Sequence, residues 1–215
     1  MKYLALISIT LFILNCATTY KPISANNTFA ENVNSNEDIE ISFGSQGLGK
    51  NNRFRDKFEN EKIAFMRLTI KNKSDQIITI NQEDVNLKIK DDLLAIAPLN
   101  PEIVYKRISL NTATYWLWGF LWIGTIKYEN GEYESNIYPI GLVIGAINFF
   151  IARGTNNDMK MEIINNHFKG GSLLPGDEIS GYLFYNSSQK RFYELQVNYS
   201  FKNGLKKLLS VPYSF

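Results

Sequence analysis

The stretch Ile63-Ala-Phe-Met-Arg-Leu-Thr-Ile-Lys-Asn-Lys-Ser-Asp-Gln-Ile-Ile-Thr-Ile80 joins two runs of β-favouring residues through a cluster of turn formers. Ile63 to Lys71 carries apolar residues at the spacing of a strand with one buried face, and Asn72-Lys-Ser-Asp75 stops it. Ile77-Ile-Thr-Ile80 then resumes the same character, which predicts two strands joined by a short turn.

Working outward, Ile39-Glu-Ile-Ser-Phe43 and Val85-Asn-Leu-Lys-Ile-Lys90 alternate apolar and polar residues, as half-buried strands do. Pro175-Gly176 opens another strand, Glu178 to Tyr185. The chain closes on a hairpin, Phe192 to Phe201 and Leu205 to about Tyr213, around Asn203-Gly204. Short strands at turn-marked intervals predict a mainly β fold, an antiparallel sandwich. Arg67 to Asp75 together with Leu174-Pro-Gly-Asp-Glu-Ile-Ser-Gly-Tyr-Leu-Phe-Tyr185 resembles the small immunoglobulin-like domains of secreted bacterial lipoproteins. That resemblance implies an immunoglobulin-like sandwich and implies nothing about activity.

The N-terminus carries Lys2, an apolar run from Tyr3 to Leu14, Asn15 and then Cys16. The run is shorter than the ~20 residues of a membrane-crossing helix, so residues 1–15 read as a signal peptide. Ile13-Leu-Asn-Cys16 resembles a relaxed lipobox of bacterial lipoproteins, with Asn15 where Gly or Ala is usual. The resemblance implies that Cys16 becomes the lipidated first residue of the mature chain, carrying diacylglyceryl and palmitate-type acyl groups. It further implies a lipid-anchored protein of the bacterial outer membrane. Residues 16–38, rich in Thr, Asn, Ser and Ala, read as a flexible tether, and residues 39–215 as one sandwich domain.

Cys16 is the only cysteine, so the chain has no disulfide and no cysteine nucleophile once Cys16 is lipidated. A net charge of +2 gives no field for phosphate binding and disfavours nucleic acid as a partner. The basic run Lys50 to Phe58 reads as a solvated loop, and Gly44, Gly47 and Gly49 as part of a polar loop rather than a phosphate cradle. Sequons at Asn26, Asn72 and Asn186 read as coincidental. The alternating Leu209, Val211, Tyr213 and Phe215 resembles the end of an outer-membrane barrel, but Pro212 interrupts it and the other strands are short.

Between the β halves lies a helical, aromatic-rich insertion at about residues 98–172. Asn100-Pro101-Glu102 has the form of a helix start, and Pro139 can begin a second helix. Asn157-Asp158 reads as the cap of a further short helix ended by Gly170-Gly171. The insertion holds Thr114-Tyr-Trp-Leu-Trp-Gly-Phe-Leu-Trp-Ile-Gly124, with every tryptophan of the chain. As a strand it would set Trp116, Trp118, Phe120 and Trp122 on one face, either buried between the sandwich and the Pro139 helix or meeting a membrane or partner protein. Gly141-Leu-Val-Ile-Gly145 has the small-xxx-small form of close helix packing, read here as a helix lying tight on a sheet.

Chemistry-bearing groups are sparse. His167 is the single histidine and reads as a helix-end residue, which excludes a multi-histidine metal site. Glu129, Glu132 and Glu134 lack the ligand spacing of a calcium loop. The sequence therefore points to no catalytic residue, no metal and no cofactor. It predicts a membrane-anchored, non-enzymatic binding or structural module with a possible envelope protein partner. The alternatives are a carboxylate-dependent hydrolase of the envelope and a lipid-contacting membrane component.

Overall fold

The computed structural model describes residues 17, 19–23, 32–45, 52–89, 95–186 and 192–214. Cys16, Asn26, Lys50 and Phe215 lie outside the described residues, as does the signal-peptide stretch. Chain contacts divide the protein into two compact units. One comprises residues 21–108 and 160–215, the other residues 109–159 with those up to Tyr20.

The first unit is an antiparallel two-sheet sandwich. Its strands are β1 (Asn32–Ser35), β2 (Ile39–Ser45), β3 (Ile63–Asn72), β4 (Ile78–Asn81), β5 (Val85–Ile89) and β6 (Ala95–Ile96). Beyond the β7–β8 ribbon of the other unit follow β9 (Gly170–Leu173), β10 (Glu178–Asn186), β11 (Phe192–Phe201) and β12 (Lys206–Ser214). One sheet has the order β1-β2-β3-β10. In the other, β12 lines one edge of β11, and β4 and β5 share the opposite edge. β4 and β5 are in effect one strand, interrupted by the 3-10 turn Gln82–Asp84, whose three residues are the slip in register between the two pairings.

Period-2 alternation explains the core. Met66, Leu68 and Ile70 of β3 join Leu183 and Tyr185 of β10, Ile78 and Ile80 of β4, and Leu195, Val197 and Tyr199 of β11 in one buried cluster. The opposite face of β3 and β10 is covered too. Phe65 and Phe184 stack at 5.1 Å, and Phe58 of helix α1 (Asn52–Asn60) lies 6.1 Å from Phe184. The basic run thus forms an amphipathic helix rather than a loop, because Phe54 and Phe58 fall one turn apart and are both buried.

The turn after β3 crosses from one sheet to the other, and so does the turn from β9 to β10. A single side chain serves both. Asn72, fully buried, donates through Nδ2 to the carbonyls of Gln76 (2.8 Å) and Leu173 (3.0 Å). Its Oδ1 accepts from the Ser74 backbone N–H (2.9 Å) and hydroxyl (2.8 Å). Its backbone N–H donates to the Asp177 carbonyl, and its own carbonyl accepts from Gly176. Gly176 has φ +85°, as a Pro-Gly turn requires. A side chain so occupied is no glycan acceptor.

Beside this knot, Asp38 Oδ2 accepts from Tyr199 (2.8 Å) and Lys207 (2.6 Å), tying the β1–β2 turn to the opposite sheet. The Lys207 hydrogen bond, with help from Tyr199, holds the Asp38 carboxyl below its usual range. Burial first, then Asp38, pushes the Tyr199 phenol up to about 12.

Several expectations need correction. Asn32–Ser35, read as tether, pairs with β2 as an edge strand. Within the same tether Ile23 is buried, and its N–H donates to the Glu162 carboxylate at 2.8 Å. β12 carries Pro212 opposite Glu194 as an edge strand of the sandwich, since the ring removes a donor only from the unpaired side. The closing hairpin has a three-residue loop, in which the Gly204 N–H donates to Phe201 and Gly204 takes φ +85°. The Asn100 cap is as read: its Oδ1 accepts from the Glu102 N–H at 2.8 Å and starts helix α2 (Pro101–Ile108).

Asn72→Ala leaves the buried Leu173 carbonyl without its donor and breaks the part-buried bond to the Gln76 carbonyl, and should cost roughly 2–4 kcal/mol, read by urea unfolding. The lowered Asp38 pKa has a defined sign. Its stabilisation is complete above the unfolded carboxyl value of about 3.9 and is lost as pH falls through the folded value. Asp38→Asn should therefore flatten the acid limb of the stability profile below about pH 4 and leave its shape near neutrality unchanged.

Candidate interaction surface

The second unit contains a 3-10 helix (Thr112–Phe120), a two-stranded ribbon of β7 (Ile123–Glu129) and β8 (Glu132–Tyr138), and residues 140–159 of helix α3 (Ile140–Asn166). Asn111 caps the 3-10 helix by accepting from the Ala113 N–H at 3.0 Å.

The tryptophan stretch is not the strand anticipated from its sequence. In a 3-10 helix residues three apart eclipse, so Tyr115, Trp118 and Leu121 form one ridge. That ridge meets α3 at its glycines. A Cβ on Gly141 would overlap the Trp118 carbonyl oxygen and press on Leu121, and one on Gly145 would come 2.8 Å from the Tyr115 carbonyl. Gly141 also donates its N–H to the Leu121 carbonyl at 3.0 Å. The small-xxx-small motif thus packs a helix on a 3-10 helix, not on a sheet.

Three steps of a 3-10 helix and four of an α-helix both advance about 6 Å. The ridge residues and the glycines are therefore commensurate. Because the contact selects every third residue, Trp118 separates from Trp116, Phe120 and Trp122. Those three side chains are exposed by 51%, 80% and 57%, so within this unit the helix begun after Pro139 does not cover them. Trp116 keeps one partner in this unit, the Phe149 ring at 5.3 Å.

The ribbon turns at Asn130-Gly131, where both residues have positive φ. By register, Ile126, Tyr128, Tyr133 and Ile137 share one face, and Thr125, Lys127, Glu134 and Asn136 the other. Tyr128 and Tyr133 rings meet across the strands at 4.7 Å. The whole apolar face is exposed. Glu132 and Glu134 stand on an exposed ribbon rather than in a cleft.

Helix α3 is continuous where the sequence suggested two helices. A Cβ on Gly154 would meet nothing within 4 Å, so that glycine neither packs nor breaks the helix. The helix ends at Asn166, and Gly170-Gly171 belong to β9. From Ile140 to Asn156 the buried face is small or polar: Gly141, Gly145, Asn148, Ala152, Thr155 and Asn156. The exposed face there is Ile140, Val143, Ile147 and Phe150. Asn156 clamps the Leu110 backbone by donating to its carbonyl and accepting from its N–H, both at 2.8 Å. Asn148 accepts from the Ala17 N–H at 2.7 Å.

His167 sits at the helix end, its ring nitrogen Nδ1 2.8 Å from the Ile164 carbonyl. Among the described residues no group of His, Cys, Asp and Glu could hold a metal ion, and no helix is long and apolar enough to cross a membrane.

No protein-family pattern matches the chain, and no curated protein matches it in sequence. Among solved structures it is similar to a DUF4426 family protein of Pseudomonas aeruginosa, with 8% identity, 86% of this chain and 94% of that one covered, and a TM-score of 0.31. It is also similar to the candidate lipoprotein ycdA of Bacillus subtilis, with 11% identity, 88% of this chain covered and a TM-score of 0.38. The chain spans 39% of that protein's length. A third is the GAE domain of GGA2p from Saccharomyces cerevisiae, with 9% identity, 86% and 97% covered, and a TM-score of 0.29. At such TM-scores none of these likenesses carries a conclusion about function.

Trp116 and Trp118 lie in the 3-10 helix and Trp122 just beyond its C-cap, so its packing is directly measurable. Gly141→Val should displace α3 from the ridge, cost roughly 1–3 kcal/mol and shift tryptophan emission. Gly154→Ala, where a Cβ meets nothing, should leave the emission in place and gain about 0.5–1 kcal/mol from helix propensity.

Proposed function

We propose that this protein is a bacterial envelope lipoprotein, anchored through lipid on Cys16 to the outer membrane, that works as a non-enzymatic binding or structural module. The observation that carries the reading is the form of the second unit. Its conspicuous feature is a set of exposed aromatic and aliphatic side chains on the 3-10 helix, the ribbon and α3. Soluble surfaces rarely expose such a set without a partner.

The sequence supplies the anchor: an apolar run closed by the one cysteine, followed by a polar stretch. Several acyl chains on one residue hold a protein to a membrane almost permanently, each buried methylene contributing about 0.8 kcal/mol.

Metabolic labelling with a palmitate analogue tests the anchor. The wild-type chain should take up label and fractionate with membranes, whereas Cys16→Ser should lose the label completely. Label retained on Cys16→Ser would sink the proposal.

A further inference from the structure

We infer that the apolar surface of the second unit is itself a membrane contact, seated in the interfacial layer of the leaflet that holds the Cys16 lipid. Its site is the exposed set Trp116, Phe120, Trp122, Val143, Ile147 and Phe150 with the apolar ribbon face, and its ligand is a phospholipid bilayer. The inference deepens the proposed function and takes from it only the choice of leaflet.

Four observations point to lipid as the occupant. The first is the inverted helix. A helix facing water hides its large apolar residues and shows its polar ones. Between Ile140 and Asn156 α3 hides glycine, asparagine, alanine and threonine and shows isoleucine, valine and phenylalanine, the arrangement of helices that pack through small residues in an apolar medium.

The second is charge. No Asp, Glu, Lys or Arg occurs between Arg107 and Lys127, or between Glu134 and Arg153. The charged residues of the segment gather around the ribbon turn, at Lys127, Glu129, Glu132 and Glu134, where a polar tip can stay in water while the apolar base does not. A protein-binding patch would carry a polar rim around its apolar centre.

The third is the ribbon. An isolated two-stranded ribbon is marginal in water, and this one leaves Ile126, Tyr128, Tyr133 and Ile137 open along one face. Aromatic residues with polar tips, such as Tyr and Trp, favour the membrane–water interface.

The fourth fixes the location. The Ala17 N–H is held by Asn148, which lies between Ile147 and Phe149 on α3 and is itself buried. Ala17 is the residue covalently bonded to Cys16. The residue that follows the lipid-bearing position in sequence is therefore held by the helix that shows an apolar face. One lipidated residue and one apolar surface form a two-part anchor, in which each part lowers the cost of engaging the other. A face with no charged residue beside it suits a bilayer better than a second copy, whose interface would carry a polar rim.

The test uses the full chain as purified from the cell envelope, incorporated into vesicles of phosphatidylethanolamine and phosphatidylglycerol whose acyl chains carry bromine. Because all three tryptophans lie in the segment, their emission reports contact directly. The expected result is blue-shifted emission, strongly quenched by bromine placed near the headgroups. Phe120→Ser combined with Phe150→Ser, both at exposed positions, should lower vesicle partition of the unlipidated Cys16→Ala chain on the order of tenfold or more.

Intact mass separates this inference from the anchor. If Cys16 carries lipid and the protein sediments with vesicles while its tryptophans stay unquenched, the inference is overturned. If Cys16 is bare and quenching persists, the inference stands and the lipid anchor falls. Unquenched tryptophans together with a cross-linked dimer would assign the face to a second copy and overturn it as well.

Discussion

The sandwich depends on one buried amide. Two neighbouring turns carry the chain between the sheets, one after β3 and one before β10, and the side chain of Asn72 bonds to both. Asparagine suits the place because its amide gives donors and its carbonyl gives an acceptor; a carboxylate would set negative charge against two carbonyls. The device recurs. Asn156 holds the Leu110 backbone and Asn148 holds Ala17. In a chain with one cysteine, buried amides clamp segments distant in sequence, as cross-links do in disulfide-rich domains.

The sandwich strands that were legible in the sequence owe it to alternation or to a marked turn. β2, β5, β11 and the second half of β3 each alternate buried and more open residues, a pattern only a strand produces, and Pro-Gly and Asn-Gly turns mark β10 and β12. β1 escaped because an edge strand of four residues, mostly exposed, carries little apolar signal. Helix α1 escaped because only Phe54 and Phe58 are buried, and its charges resemble those of a solvated loop. The β7–β8 ribbon was overlooked although Asn130-Gly131 is the same dipeptide that marks the closing hairpin. Its flanking residues are acidic, and no alternating run stood out beside them.

The candidate surface was half legible. Composition located its residues, and the tryptophan stretch does stand apart from the rest of the chain. Its geometry was hidden, because a two-residue period and a three-residue period both fit a segment in which nearly every residue is apolar. Helix α3 was hidden for a different reason. Its polarity reverses after Asn156: before that point the large apolar residues face outward and polar ones inward, and beyond it Met159 and Ile163 face inward while Asn157 and Asp158 face water. A reader searching for one amphipathic stripe finds two opposed ones and divides the helix. The same reversal distinguishes the two environments along a single element.

The match between the 3-10 ridge and the α3 glycines has a consequence for how this segment can change length. One repeat of the contact consumes three residues on one side and four on the other, both about 6 Å long. A lone insertion in either partner would rotate its contact residues out of alignment for the rest of the interface. Compatible additions come in pairs of unequal size, three against four, so the segment can grow or shrink only in whole repeats. Its length is thereby quantised, in contrast to the exposed ribbon tip, where a residue more or less disturbs no packed neighbour.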